Sequence, residues 1–598
     1  MNNNKNVLLA IALAAAVLFL WQYFVATPAM KAEQARQAAL TKQEKAKPPQ
    51  SGPPGAAPAL PGIAGTSPHM SREAALKAGG ARVAIDTPMV DGSILLKGGK
   101  IDDLRLKKYR ETVDPKSPEI VVLAPKGTDY PYYATFGWVG GANMPNDNSE
   151  WRQTNGGMLT PGHPVTLTWD NGQGLVFTRV IAIDDQYMFT VTDSVANRGG
   201  APVSLFPYGT VERQSIPPTT SFFILHEGFV GVAGGSEIDA KYDDFKEPGT
   251  PPKTFDSTGG WVGITDKYWM AAIVPPQGES FNGAYLGSKT SSGVDAYQAN
   301  YRLGARKLAP GGTASVTHRL FAGAKVVNIL RGYQDSLKIV NFDNAVDWGW
   351  FWFLTRPFFW LLDILNKALG NFGLAILGLT VIVKLVFFPL ANASYRAMGK
   401  MKKLQPQLEA IKKEHGDDPQ KMQMAMMDLY KREKANPVSG CLPILLTIPV
   451  FFSLYKVLFV TIEMRHAPFY GWIHDLSAPD PTSYINLFGL LPFNPHAVLP
   501  SFISFLSIGV WPILYGITQW VQMKLNPPPP DPVQAKMFAF MPIIFTFMFA
   551  SFPSGLVIYY AWNNLLTVIQ QWYIMKKEGV EVNLFDNIKP KKLKAAND

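Results

Sequence analysis

The placement of apolar residues constrains this chain more than any other feature. One run lies at the extreme N-terminus, VLLAIALAAAVLFLWQYFV (Val7–Val25). The others crowd into the last third: Phe372–Leu390, Pro443–Ile462, about Val498 to Met523, Lys536–Phe552 and Gly555–Ile574. A mean hydropathy of +0.02 averages over this unevenness. Each run can cross a hydrocarbon core of about 30 Å at about 1.5 Å per residue, so the pattern predicts about six membrane spans rather than one soluble globule. The first run exceeds a signal-peptide core in length and is read as a retained anchor.

After the anchor, residues from Lys31 to about Gly80 are rich in Ala, Lys, Gln, Glu, Pro and Gly, as in KQEKAKPPQSGPPGAAPALPG, and form a linker too poor in large apolar side chains to fold. From Arg82 to Ala324 the pattern changes to short alternating or β-branched runs. VTLTW (Val165–Trp169), LVFTRVIAI (Leu175–Ile183) and MFTVTDSV (Met188–Val195) read as strands. The DNGQG between the first two is a hairpin signal, because Asn171 and Gly172 tolerate positive φ. The expectation is a large all-β sandwich. Its histidines, His163, His226 and His318, lack ligand spacing, and the single cysteine, Cys441, excludes an internal disulfide.

DWGWFWFLTRPFFWLLDILNK (Asp347–Lys367) is crowded with aromatics but broken by Arg356, Pro357 and Asp363, which predicts a helix lying along the membrane surface. Lys and Arg are frequent in Tyr395–Gly440 and in the tail from Lys576, whereas Glu463–Ala497 holds Arg465 alone. The first two are therefore expected in the cytoplasm, together with both termini, and the β domain outside. The formal charge of +10 is placed beside apolar runs and reads as membrane orientation, with anionic lipid or ribosomal RNA as secondary contacts.

This topology assigns a depth to the polar residues inside the spans. Lys384 stands within GLTVIVKLVFFPL, near the cytoplasmic end of its helix. Tyr560, Asn563, Thr567 and Gln570 advance by three or four and share one face. Thr447, Gln519, Gln522 and Thr546 fall in the same half or near mid-depth. A cation at mid-membrane costs about 2.5 to 3.5 kcal/mol, so several polar groups at one depth predict a hydrated cavity open to the cytoplasm and blind outside. Snorkelling of Lys384 to the inner headgroups, and helix packing by the Thr and Asn side chains, are the competing readings. Lys456, in the outer half of its span, is expected to snorkel outward.

Three segments carry a family resemblance: NPVSGCLPILLTIPVFFSLY (Asn436–Tyr455), MRHAPFYGWIHDLSAPDP (Met464–Pro481) and FMPIIFTFMFASFPSGLVIYY (Phe540–Tyr560). They resemble the YidC/Oxa/Alb family of membrane-protein insertases in its Gram-negative form. The resemblance implies a polytopic α-helical membrane protein with about six transmembrane helices, five of them forming the insertase core. It also implies a periplasmic β-supersandwich related to galactose-mutarotase-like folds, and a cytoplasmic helical hairpin. It further implies a substrate groove of Lys384, Thr380, Thr447, Asn563, Thr567 and Tyr560, and a slide of Ile448, Pro449, Phe451, Ile544, Met548 and Tyr560. Lys384 occupies the position where the family typically has arginine, which keeps the charge but not the planar fork.

In the cytoplasmic hairpin, Met401, Leu404, Leu408 and Ile411 form one helix face, HGDDP (His415–Pro419) supplies the turn, and Met422, Met424, Met426 and Met427 offer flexible thioethers to varied apolar sequences. The resemblance implies nascent membrane proteins, the Sec translocon, the ribosome, the signal-recognition machinery and membrane lipid as partners, in the bacterial inner membrane. No cofactor, small-molecule substrate or covalent chemistry is expected. The expected layout is an anchor at 1–26, a disordered linker at 27–81, the β domain at 82–340, the interfacial helix at 341–370, a second span at 371–391, the hairpin at 392–440, the remaining spans at 441–575 and a basic tail at 576–598. A secondary transporter using Lys384 and a membrane-anchored carbohydrate-binding protein are the alternatives; neither inverted repeats nor paired catalytic acids are visible in the sequence.

Overall fold

The computed structural model of the chain describes residue 60 and residues 69–579, apart from 218–224, 248, 291, 416–417, 434–441, 500–505 and 527–531. The expected N-terminal anchor, Cys441 and the basic tail beyond residue 579 lie outside the described residues.

Two antiparallel sheets of ten strands each form the β domain. The first runs in the order Arg82–Asp86, Val90–Leu95, Lys100–Arg110, Tyr132–Val139, Val203–Gln214, Asp295–Leu303, Ser280–Lys289, Lys253–Thr258. In the second, Gly228–Ala233, Gly260–Thr265, Trp269–Val274, Thr313–Ala324, Met188–Asn197, Leu175–Ile183 and Val165–Asp170 are successive neighbours. Alternation explains the facing: Leu175–Ile183 buries every second residue. Phe229 stacks on Tyr285 between the sheets, while Trp261 and Phe321 pack against Phe342 on the other face of the second sheet.

Buried polar groups also bridge the layers. Arg179 pairs with Asp193 in its own sheet at 2.6 Å and donates to the carbonyls of Gly99 (2.8 Å) and Phe136 (2.5 Å) across the core. All three nitrogens of that guanidinium donate, which is what a buried charge requires.

The predicted hairpin is present, with Asp170 paired to Val176, but its positive φ values fall on Gly172 and Gly174 and not on Asn171. Asn171 instead accepts through Oδ1 from the N–H groups of Gln173 (2.8 Å) and Leu175 (2.9 Å), an Asx-type turn.

Two helices depart from the expected layout. Helix α1 (Arg72–Gly79) falls inside the stretch read as disordered linker; Ser71 caps its N-terminus and Arg72 pairs with the buried Asp103. Helix α2 (Val327–Leu337) closes the β domain, burying Val327, Leu330 and Tyr333. Charge pairing in the first case and a 3.6-residue apolar face in the second outweighed the local composition.

The helical part begins with α3 (Trp352–Leu369), α4 (Phe372–Val386) and α5 (Phe388–Lys403). Helix α3 buries Thr355, Phe359 and Leu362 and leaves Trp352, Phe353, Trp360 and Ile364 exposed, so it is an apolar helix on both faces rather than at one stripe. Gly370 ends it in the left-handed conformation. Next come α6 (Gln405–Glu414), α7 (Pro419–Arg432), α8 (Leu442–Val460), α9 (Val510–Leu525), α10 (Pro532–Phe549) and α11 (Ser554–Lys577).

The spans differ from expectation in two ways. Among the described residues no single helix is both long and apolar enough to cross a membrane, but α4 and α5 together are, with a bend of 68° between them. The stretch Phe372–Leu390 is therefore broken at Phe387, where Pro389 starts the second helix and cannot donate to the first. In the span expected from about Val498, residues 506–509 are not α-helical and the helix begins at Val510. Asp480 explains that start: its Oδ2 accepts from the N–H of Trp511 at 2.9 Å, and Thr482 Oγ1 accepts from Val510 at 3.1 Å. A side chain at Gly509 would strike Asp480, so the cap needs glycine there.

Candidate functional site

Lys384 lies in the last turn of α4, where the carbonyl end of the helix favours a cation. Its ammonium group donates to Thr567 Oγ1 on α11 at 2.6 Å. Thr567 Oγ1 in turn donates to the carbonyl of Asn563 at 2.7 Å, and Tyr395 of α5 also reaches Thr567. Three helices thus meet at one hydroxyl. Tyr395 was not among the residues singled out from sequence; its phenol beside a cationic span was the available signal.

The other predicted groove residues are distributed differently. Thr380 is buried and donates to the carbonyl of Ile376 on its own helix at 2.7 Å, so its hydroxyl is spent locally. Tyr560 belongs to an aromatic cluster, stacked on Phe451 with ring centroids 5.0 Å apart and beside Phe549 at 5.0 Å. The side chain of Thr447 lies outside the described residues. Asn563 contributes its carbonyl, as above.

On α11 the buried polar stripe is Asn564, Thr567 and Gln571, not Asn563, Thr567 and Gln570. Asn564 donates to Gln519 at 2.9 Å and Gln571 to Asn526 at 3.0 Å, both across to the α9 side. These are packing contacts, the competing reading for such side chains. Thr546 behaves likewise: it bonds to the Pro542 carbonyl at 2.7 Å and packs where a Cβ on Gly516 would collide with its hydroxyl. Lys456 does not end in solvent. Its ammonium group meets Asp347 Oδ2 at 2.5 Å.

The slide residues sit on exposed faces. Ile448 and Phe451 are exposed on α8, Ile544 and Met548 on α10, and Pro449 lies inside α8. Phe451 and Phe549 pack on Tyr560 of α11 from the two flanking helices. In the hairpin, Asp418 caps α7 through the N–H groups of Gln420 (3.1 Å) and Lys421 (3.2 Å), with Pro419 opening the helix. Met424 and Met427 are exposed three residues apart, whereas Met422 and Met426 are half-buried.

A two-sheet β domain continuous with helices that expose apolar faces and hold a cation among hydroxyl groups defines an integral membrane protein with a large domain at one surface. The model of the YidC periplasmic domain matches residues 82–361, and that of the 60Kd inner membrane protein matches residues 364–580. Membrane protein insertases YidC of Methylorubrum extorquens and Rhizobium meliloti are 53% and 51% identical, with 98% of this chain covered in both cases and 97% and 98% of the relatives. The chain belongs to the YidC family of membrane protein insertases, which are bacterial inner-membrane proteins with a periplasmic domain and not enzymes.

Among solved structures, an active YidC insertase with its first transmembrane domain resolved matches at 19% identity and a TM-score of 0.35, covering 82% of this chain and 92% of that one. A galactose mutarotase related enzyme from Lactobacillus acidophilus matches at 12% identity and a TM-score of 0.29, covering 41% of this chain and 97% of that one.

Proposed function

We propose that this insertase receives the polar end of a nascent membrane protein near Lys384, on the cytoplasmic side, and releases the apolar segment along the exposed faces of α8 and α10 into lipid. The observation that carries this reading is the Lys384–Thr567 contact, which supports a cation held between helices instead of one extended to the headgroups. An ammonium group is a point charge that can exchange Thr567 for a substrate carboxylate. The exposed Ile448, Phe451, Ile544 and Met548 supply an apolar path beside it.

No nucleotide is required for such a transfer. Each Leu-like side chain gains roughly 0.3 to 0.6 kcal/mol on entering lipid, and a potential positive outside draws an anion outward by about 2.3 kcal/mol per 100 mV. A short wet path lowers the cost of moving the acidic tail.

The accompanying topology has both termini in the cytoplasm, an anchor at 1–26, about six spans and the β domain outside. The exposed Met424 and Met427 of α7, with the basic cytoplasmic segments, fit contacts to ribosome, signal-recognition machinery or Sec translocon. The test is insertion of a protein with a short acidic periplasmic tail by Lys384→Ala and Lys384→Arg variants. Loss with Ala and retention with Arg are expected; full insertion with Ala would overturn the role of the charge.

A further inference from the structure

The loop between α8 and α9 contains a segment that neither the groove nor the slide uses. It lies on the periplasmic side, because Arg465, just past α8, donates to the backbone carbonyl of Arg110 in the β domain at 2.7 Å. At Tyr484–Gly489 the chain makes a tight turn in which Leu487 (φ 53°) and Phe488 (φ 56°) are both left-handed. L side chains adopt that conformation rarely, and consecutive cases need surrounding structure to hold them.

Asn486 provides the hold. It is 2% exposed, accepts from the N–H groups of Ser483 (2.8 Å) and Gly489 (3.0 Å), and donates to the carbonyls of Pro481 and Phe493, both at 3.0 Å. All four hydrogen-bonding directions of one buried amide are thus used to fix the turn. What the turn presents is apolar: Leu487, Phe488, Leu491 and Phe493 are exposed, and Leu490 is 81% exposed. Backbone strain and a buried polar keystone here serve to hold apolar side chains out of the protein, the reverse of ordinary burial.

We propose that this turn is a membrane spur whose apolar side chains are immersed in the acyl chains of the periplasmic leaflet. Two observations select lipid over a protein partner. From Pro481 through Met523 the sequence has no Asp, Glu, Lys or Arg, so the surface offers no charge to set the orientation of a protein partner. The same loop is continuous, through the Asp480 cap, with α9, whose Leu514 and Ile517 are exposed as on a lipid-facing helix. Exposed Tyr470 and Trp472 supply the rings that favour the headgroup level, and Trp472 Nε1 bonds to the same Asp480 at 3.1 Å. The spur and α9 are therefore one rigid unit, and immersion of the spur sets the depth of the α9 end.

The test uses the full chain with Cys441→Ser, reconstituted in phosphatidylethanolamine and phosphatidylglycerol vesicles, with a nitroxide on Leu490→Cys or, separately, Leu487→Cys. Gln173→Cys, on an exposed hairpin of the β domain, is the aqueous reference. Immersion predicts relaxation by oxygen and protection from a water-soluble nickel chelate at both spur positions, with the opposite at Gln173. Nickel accessibility equal to that at Gln173 would overturn the proposal. So would shielding from both reagents with dipolar broadening between labels, which would mark a second copy of the chain as the occupant.

Discussion

The ammonium group of Lys456 and the carboxylate of Asp347 meet at 2.5 Å, joining α8 to the segment that leads from the β domain into α3. Asp347 also accepts from the backbone N–H groups of His226 (3.2 Å) and Gly349 (3.2 Å), so the pair is tied to the β domain on one side and the membrane helices on the other. Lys456 is largely buried, and a buried charge that loses its partner is worse than no charge at all. Asp347→Ala is expected to destabilise the detergent-solubilised protein by about 3 to 5 kcal/mol, and Asp347→Ala with Lys456→Met by much less. Thermal unfolding of the four members of that cycle measures the difference.

Glu463 makes a second tie. Its Oε1 accepts from the N–H of Val327 at 3.0 Å, the first residue of α2, whose preceding residue, Val326, has no side chain able to cap. The carboxyl oxygen of Glu463 satisfies a free donor at that N-terminus, and burial raises the side chain's pKa from 4.5 to about 7. Glu463→Ala is expected to cost about 1 to 2 kcal/mol, and Glu463→Gln less, since the amide oxygen still accepts. Proteolysis between the β domain and α3 under native conditions should rise in the order wild type, Gln, Ala.

Both ties were invisible in the sequence, because each joins residues more than a hundred positions apart and neither side has a periodic signal. The strands were legible for the opposite reason: Leu175–Ile183 alternates with a period of two, and only one face could be buried. The stripe on α11 shows where pattern reading stops. Asn563, Thr567, Gln570 and Asn564, Thr567, Gln571 both obey spacings of three or four, and only the position of α9 selects the second. Lys384 was legible as an anomaly, a cation in an apolar run, yet its partner Thr567 is 183 residues away.

His318 gives the β domain an acid sensitivity. It is fully buried, its Nδ1 lies 2.5 Å from the hydroxyl of Tyr301, and its ring stacks on Phe136. Burial lowers its pKa from 6.5 to about 4, with Asp193 opposing that shift only in part. The unfolded chain therefore binds the proton first. The neutral ring contributes its full stability above about pH 6.5, and this contribution falls as pH drops toward 4, by roughly 3 kcal/mol in all. Denaturant unfolding of the full chain followed at pH 4.5 and pH 7 should show a smaller pH difference in His318→Gln than in the wild type. An equal difference in the two would place the acid sensitivity elsewhere.

Asn564 and Thr567 stand one turn apart on α11 and should separate packing from substrate handling. Asn564→Leu removes the donor to Gln519 and leaves a half-buried amide oxygen unpaired, so about 1 kcal/mol of stability should be lost. The charge at Lys384 is untouched, and the relative insertion of acidic-tailed and neutral-tailed substrates should stay as in the wild type. Thr567→Val keeps the shape but takes the partner from the ammonium group. That loss leaves the cation less well positioned, so insertion of the acidic-tailed substrate should fall while the neutral-tailed one holds, and by less than in Lys384→Ala. A competition assay with the two substrates in one reaction reads this ratio directly, since a general loss of folded protein lowers both and cancels.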